Sequence, residues 1–166
     1  MSKTSPTSGT LTINREFSHA TEVVFAAFTS LETKARWFTG PKGGEVLERL
    51  LDVKAGGAEV LRFRHPSGMI TEFIARYHAV ERDRRIVYSY DLMIDGRHHS
   101  TSLAVVELAP AGKGTAIIFT EHVAWHDGTD LAKGLASRKH GTSWQFDNVA
   151  ATLAGESQMP VFVPLG

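Results

Sequence analysis

The sequence predicts an α+β fold in which a curved antiparallel sheet of six or seven strands wraps a long C-terminal helix. Three observations carry this. Apolar residues alternate from Leu11 to Phe17, the period-two pattern of a half-buried strand, and change to helical spacing from Ala20. Strand-length segments separated by Gly, Pro and Asp-Gly turns then fill the middle of the chain, and consecutive hairpins of that kind pair antiparallel. A helical stripe near the C-terminus supplies one apolar layer for the sheet to bury against.

Taken in order, Leu11, Ile13 and Phe17 mark the first strand, with Arg15 standing in its apolar phase. Val23, Val24, Ala27, Phe28 and Leu31 recur at helical spacing, and Thr21 with Glu22 supplies a helix start. Two short helices ending near Trp37 and Phe38 fit before Gly40 and Pro41. Strands follow over Val46–Val53 and Ala58–His65, joined through Gly56 and Gly57, then over Met69–Val80 after the Pro66-Ser67-Gly68 turn. Met69, Phe73 and Tyr77 share one face of that strand. Arg84–Met93 places Ile86, Tyr88, Tyr90 and Leu92 on one side, and Asp95-Gly96 turns the chain into His98–Leu108. Thr115–His122 is the last expected strand. Val123 to Ala136, with Asp127, Gly128 and Gly134, reads as a lid-like loop. A helix over Ser137–Ala154 carries Thr142, Phe146, Val149 and Leu153 on one stripe and ends at Gly155. The organisation expected is a disordered tail over 1–10, one domain over 11–156 and an extended tail over 157–166.

Composition narrows the function. The 166 residues have the length of one domain, and no cysteine is present, which removes disulfides, thiolate metal sites and a cysteine nucleophile. A reducing, cytoplasmic location is the corresponding expectation. Eighteen basic and eighteen acidic residues cancel without a basic run, so neither nucleic acid nor a membrane surface is an expected partner. Met1 to Thr10 lacks the apolar core of a secretory signal. A symmetric homodimer is the default oligomer.

Several short strings, in order, resemble the SRPBCC or START-like superfamily. They are Arg15, Phe17, Val24 and Phe25; Ala35-Arg36-Trp37-Phe38; Asp52-Val53-Lys54-Ala55-Gly56-Gly57; Gly114-Thr115 leading to Phe119-Thr120-Glu121; and Arg138-Lys139-His140-Gly141-Thr142. The resemblance covers Leu11 to Gly155 and is nearest to the branch named after the C-terminal domain of the activator of the ninety-kilodalton heat-shock chaperone's ATPase. It implies a helix-grip (START-like) fold with a cavity between the sheet and the last helix. It implies no reaction, since similar proteins include lipid carriers, hormone receptors and aromatase/cyclases. The activators resemble this sequence over one domain, so their activity is not carried over.

On that fold the apolar strand phases place Phe73, Tyr77, Tyr88, Tyr90, Ile117 and Phe119 on the concave wall, where core packing and pocket lining compete as explanations. Tyr88 and Tyr90, at alternate positions of one strand, are the stronger lining candidates, because a buried phenol needs a hydrogen-bond partner. Trp37 and Phe38, Trp125, and Gln145, Phe146 and Val149 on the last helix complete the expected ligand-binding set. Gln145 is notable because similar proteins often carry an apolar residue there. Glu121 shares the phase of Phe119 and is the one candidate catalytic acid or base; the structural alternative pairs it with Arg15.

The histidines do not build a metal site on paper. His98 and His99 are adjacent on a strand and point to opposite faces, while His122 and His126 run into the expected loop. No metal and no cofactor are expected, and HExxH, GxSxG and nucleotide-binding glycine motifs are missing from the sequence. The leading expectation is a protein that binds a small, largely apolar or aromatic molecule. The alternatives are a cyclase, dehydratase or hydrolase using Glu121, and a module that modulates a protein partner.

Overall fold

The computed structural model describes residues 7–166. Seven strands form one antiparallel sheet: β1 (Thr7–Phe17), β2 (Glu45–Leu51), β3 (Ala58–Arg64), β4 (Ile70–Glu81), β5 (Arg85–Ile94), β6 (Arg97–Ala111) and β7 (Gly114–Trp125). Their spatial order is β1-β7-β6-β5-β4-β3-β2, so β2 to β7 run as an uninterrupted meander and β1 closes beside the last strand. Helices α1 (Thr21–Thr29) and α2 (Leu31–Trp37) follow β1, and α3 (Leu131–Leu153) lies across the concave face. This is the expected α+β helix-grip architecture.

Turn chemistry sets the register. Between β5 and β6, Asp95 and Gly96 both adopt positive φ (48° and 74°), the two-residue turn whose twist matches the strands it joins. Register shifts at Tyr77/Ala79 on β4 and at Leu92/Met93 on β5 bend the central strands, as bulges do, and help curl the sheet around the helix. The buried residues of β1, β4, β5, β6 and β7 point inward. Leu11, Ile13, Ile86, Val106, Ile117 and Phe119 meet Phe146 and Val149 of α3 in one core.

Two boundaries depart from expectation. The disordered tail expected up to Thr10 is corrected from Thr7 onward, because Thr7 to Thr10 ladder against Trp125 to His122; residues 1–6 lie outside the described residues. The lid-like loop expected over Val123–Ala136 shrinks to His126–Asp130. β7 continues to Trp125, which pairs with both Thr7 and Ser100, and α3 starts six residues before Ser137. Its start is fixed by Asp130, whose side chain accepts a hydrogen bond from the Lys133 backbone N–H at 3.0 Å. Gly134 argued against a helix on propensity alone. It is tolerated because a Cβ there would stand 2.9 Å from the buried Trp125 ring, so close packing decides the position.

Residues 156–166 form neither helix nor strand and lie on α3. Trp144 Nε1 donates to the Pro160 carbonyl at 2.9 Å, and the Trp144 and Phe162 rings meet edge to face at 5.1 Å. Among the described residues, no helix is long and apolar enough to cross a membrane.

Candidate functional site

Between the concave face of the sheet and the helices lies a cavity of about 720 Å³. Its position follows from the meander: the central strands are long and curved, and α3 spans them without filling the space between. The volume falls in the range of small-molecule sites, roughly 300–1,000 Å³.

Aromatic rings from β4 and β5 make a continuous wall. Tyr77 and Tyr88 lie 5.7 Å apart, Tyr88 and Tyr90 stack at 6.1 Å, and Phe73 packs on Tyr90 at 4.6 Å. Phe38, at the end of α2, extends this wall by an edge contact with Phe73 at 4.9 Å, and Trp37 packs behind Phe38 at 5.7 Å. Phe119, Glu121 and Trp125 line it from β7, and Gln145 with Phe146 from α3. Of the residues expected at the site, Val149 does not line the cavity; it is fully buried in the core, one turn beyond Phe146. Ile117, expected on the same wall, is likewise core.

Glu121 points inward, as its strand phase predicts, but not toward Arg15. The β1–β7 register sets Leu11 opposite Glu121 and Arg15 opposite Ile117, four residues and roughly 13 Å away along the strand. Arg15 pairs instead with Asp147 of α3 at 2.5 Å. The partner of Glu121 is Arg138, whose Nη1 donates to Oε2 at 2.9 Å. Tyr90 donates its hydroxyl proton to Glu121 Oε1 at 2.6 Å and accepts from Arg138 Nη1 at 2.7 Å, while Ser100 Oγ accepts from Arg138 Nη2 at 2.7 Å. Burial of the guanidinium pulls its pKa down, but Tyr90 and Glu121 outweigh this and hold it above the ordinary arginine value.

A second triad of the same chemistry stands across the wall. Lys34 of α2 donates to Glu59 of β3 at 2.6 Å, and Tyr77 donates to the same carboxylate oxygen at 2.6 Å. The ammonium also sits 5.0 Å from the Phe38 ring centre, where the ring's negative face favours it. The phenols of Tyr77 and Tyr90 are both pushed far up in pKa, chiefly by burial and then by the adjacent carboxylate, so both keep their protons.

Tyr88 stands between the two triads. Burial raises its pKa as well, and its hydroxyl has no hydrogen-bond partner among the described residues. Gln145 donates its amide to the Thr39 carbonyl at 3.3 Å, while its Oε1 is buried with no partner among those residues.

Sequence reasoning did not find Lys34, Glu59 or Arg138. The signals were present. Glu59 alternates with Leu61 and Phe63, a charge in an apolar phase like Glu121, and Lys34 sits three residues before Trp37 on one helical stripe. Arg138 likewise precedes Thr142 and Phe146 at intervals of four.

At the surface, His98 and His126 are brought together, with ring centres 4.2 Å apart beside Asp91 and Thr101. His122 faces Thr10 instead. Among the described residues, no group of three or more His, Cys, Asp or Glu is arranged to hold a metal ion.

Comparison with known proteins fits this geometry. The family model of activator of Hsp90 ATPase homolog 1-like proteins matches residues 18–154. The chain belongs to that family. Among solved structures similar to this activator-homologue-like chain, the Mll3558 protein of Rhizobium loti is 36% identical, with 90% of this chain and 99% of that one covered and a TM-score of 0.80. A Rhizobium leguminosarum protein is 29% identical over 92% and 98% of the two chains, at a TM-score of 0.85. The AHSA1 protein of Silicibacter pomeroyi, 20% identical over 88% and 98% at 0.68, shares the fold. Comparison with curated proteins returns no match.

Proposed function

We propose that this member of the activator-homologue-like family is a binding protein that takes up a small, largely apolar or aromatic molecule in the cavity between sheet and α3. The observation that supports the reading is a roomy cavity, about 720 Å³, whose buried charges are spent on one another. Lys34 pairs with Glu59 and Arg138 with Glu121, so the buried part of the wall offers aromatic surface rather than free charge, and the unpaired Lys133 on the lining is exposed. Such a wall gains most from a ligand that removes apolar area from water, about 25 cal/mol per Å². Absence of cysteine supports a cytoplasmic setting for it.

The enzymatic alternative is weakened by the same contacts. A general acid or base must be free to exchange a proton with its substrate, whereas both oxygens of Glu121 are engaged, by Tyr90 and by Arg138. A module acting only through a protein partner would need no cavity of this size.

Native mass spectrometry of protein purified from its own host, set against the denatured mass, tests the reading. A co-purifying molecule of a few hundred daltons is the expected result. Repeated absence, together with no thermal shift across a panel of aromatic and fatty metabolites, would overturn it.

A further inference from the structure

We infer that the cavity selects an uncharged aromatic molecule bearing a carbonyl-type acceptor, which receives its hydrogen bond from the Tyr88 hydroxyl. This rests on the cavity reading above and adds to it the chemical class of the ligand.

Three phenols face the cavity, and their protons are not equivalent. Those of Tyr77 and Tyr90 are committed to Glu59 and Glu121, both at 2.6 Å. Tyr88, between them, is surrounded by their rings at 5.7 and 6.1 Å and has no acceptor among the described residues. A donor that faces the cavity with no protein acceptor leaves its proton for a ligand oxygen to accept. Its hydroxyl is not among the buried unpartnered atoms, so it is open to the cavity that its ring lines.

The pairing of the buried charges on either side of Tyr88 sets the second half of the specificity. A carboxylate brought to Tyr88 would meet two carboxylates, Glu59 and Glu121, whose own cations are already engaged. An ammonium would have to compete with Lys34 and Arg138 for the same oxygens. Lys133, the lining cation with no carboxylate partner among the described residues, is exposed on the first turn of α3, so a charge held at Tyr88 would lose its hydration without gaining a free counter-charge there, a cost far larger than one hydrogen bond returns. A neutral carbonyl loses little and gains the Tyr88 proton. The stacked Tyr88 and Tyr90 rings, with Phe73 tilted against Tyr90 and edge-on to Tyr88, supply aromatic surface for the ligand's aromatic body.

The test uses a matched set of probes: 2-benzoylnaphthalene, its hydrocarbon counterpart 2-benzylnaphthalene, and the ketone carrying a benzoate carboxylate. Each is titrated by tryptophan fluorescence into the full chain and into Tyr88→Phe, which keeps the ring and drops only the hydroxyl. The intact protein should hold the ketone about threefold to tenfold tighter than the hydrocarbon, the return of one neutral hydrogen bond, and should hold the carboxylate weakest. Tyr88→Phe should equalise ketone and hydrocarbon without changing the hydrocarbon's affinity. The infrared carbonyl stretch of the bound ketone should shift to lower frequency in the intact protein and not in the variant, and the intact protein alone supplies half of that readout should the variant misfold. Equal affinities in the intact protein, a ketone preference that survives Tyr88→Phe, or a carboxylate that binds tightest would each overturn the proposal while leaving the cavity reading in place. Failure of all three probes to bind would overturn both.

Discussion

Arg138 on α3 and Tyr90 on β5, 48 residues apart in the chain, meet at 2.7 Å, and the same phenol oxygen donates to Glu121. The contact ties the covering helix to the sheet from inside the cavity. Glu121 is 1% exposed, so removing its cation leaves a carboxylate with neither water nor counter-charge. Arg138→Met should therefore cost about 3 kcal/mol, and for a chain of this length lower Tm by roughly 10 °C. Adding Glu121→Leu should recover most of the loss, because the pair is then replaced rather than broken. Urea denaturation across the four-member cycle measures the coupling; a single-variant cost below about 1 kcal/mol would show that water reaches Glu121.

Two glycines of α3 should respond oppositely to alanine. In an exposed helix interior that change is worth up to about 1 kcal/mol in favour of alanine. At Gly141 nothing stands within 4 Å of the added Cβ, so Gly141→Ala should stabilise by about that amount. At Gly134 the Cβ would meet Trp125 and Thr129 at 2.9 Å, and Trp125 is held at 2% exposure. Gly134→Ala should destabilise by about 1–2 kcal/mol, as overpacking does. Thermal unfolding of the two variants side by side decides it.

These residues also show where sequence reading reached and where it stopped. Strand phase alone put Tyr77, Tyr88, Tyr90, Phe119 and Glu121 on the concave face, because a period of two leaves each residue only one of two directions. Pairing across elements was not legible. Arg15 and Arg138 are both cations near the same sheet, and only the β1–β7 register, which puts Arg15 opposite Ile117, separates them. Gly128 and Gly134 were read as a loop because propensity is local, while the reason Gly134 is helical is a tryptophan nine residues earlier on another element. Lys34 and Glu59 receive no role from the sequence reading, although each occupies an apolar phase of its element.

Acid should loosen the short connection between β7 and α3. Hydrogen bonds from Thr129 and His99, outweighing a desolvation cost that acts upward, lower the Asp127 carboxyl from its ordinary 3.8 to about 2. A depressed folded-state pKa contributes stability that is present above pH 4 and disappears as the pH falls toward 2. Asp127 is 41% exposed, so solvent screens the effect and it should be a fraction of the full linkage value. Carboxyl-carbon NMR should place its midpoint near 2, and Asp127→Asn should flatten the stability profile between pH 4 and 2. A midpoint near 3.8 would mean that the contact with His99 does not persist in solution.

The C-terminal segment is the part of the cavity wall that can be removed without touching sheet or helix. Phe162 lines the cavity, and it is held there by the Trp144 ring and by the Val163 carbonyl, which lies 2.6 Å from His140 Nε2. Its neighbours Val161 and Val163 are 85% and 67% exposed, so the segment adds little buried apolar area beyond that one ring. Deleting residues 157–166 should lower stability by no more than about 2 kcal/mol, the scale of one buried aromatic side chain. It should also leave Trp144 without the Pro160 carbonyl that its indole now meets at 2.9 Å, so its fluorescence emission should move to the red. The native sheet and helix content should be unchanged by circular dichroism. An unshifted emission would mean that the segment does not rest on Trp144 in solution, and Phe162 would then have to be removed from the wall of the cavity.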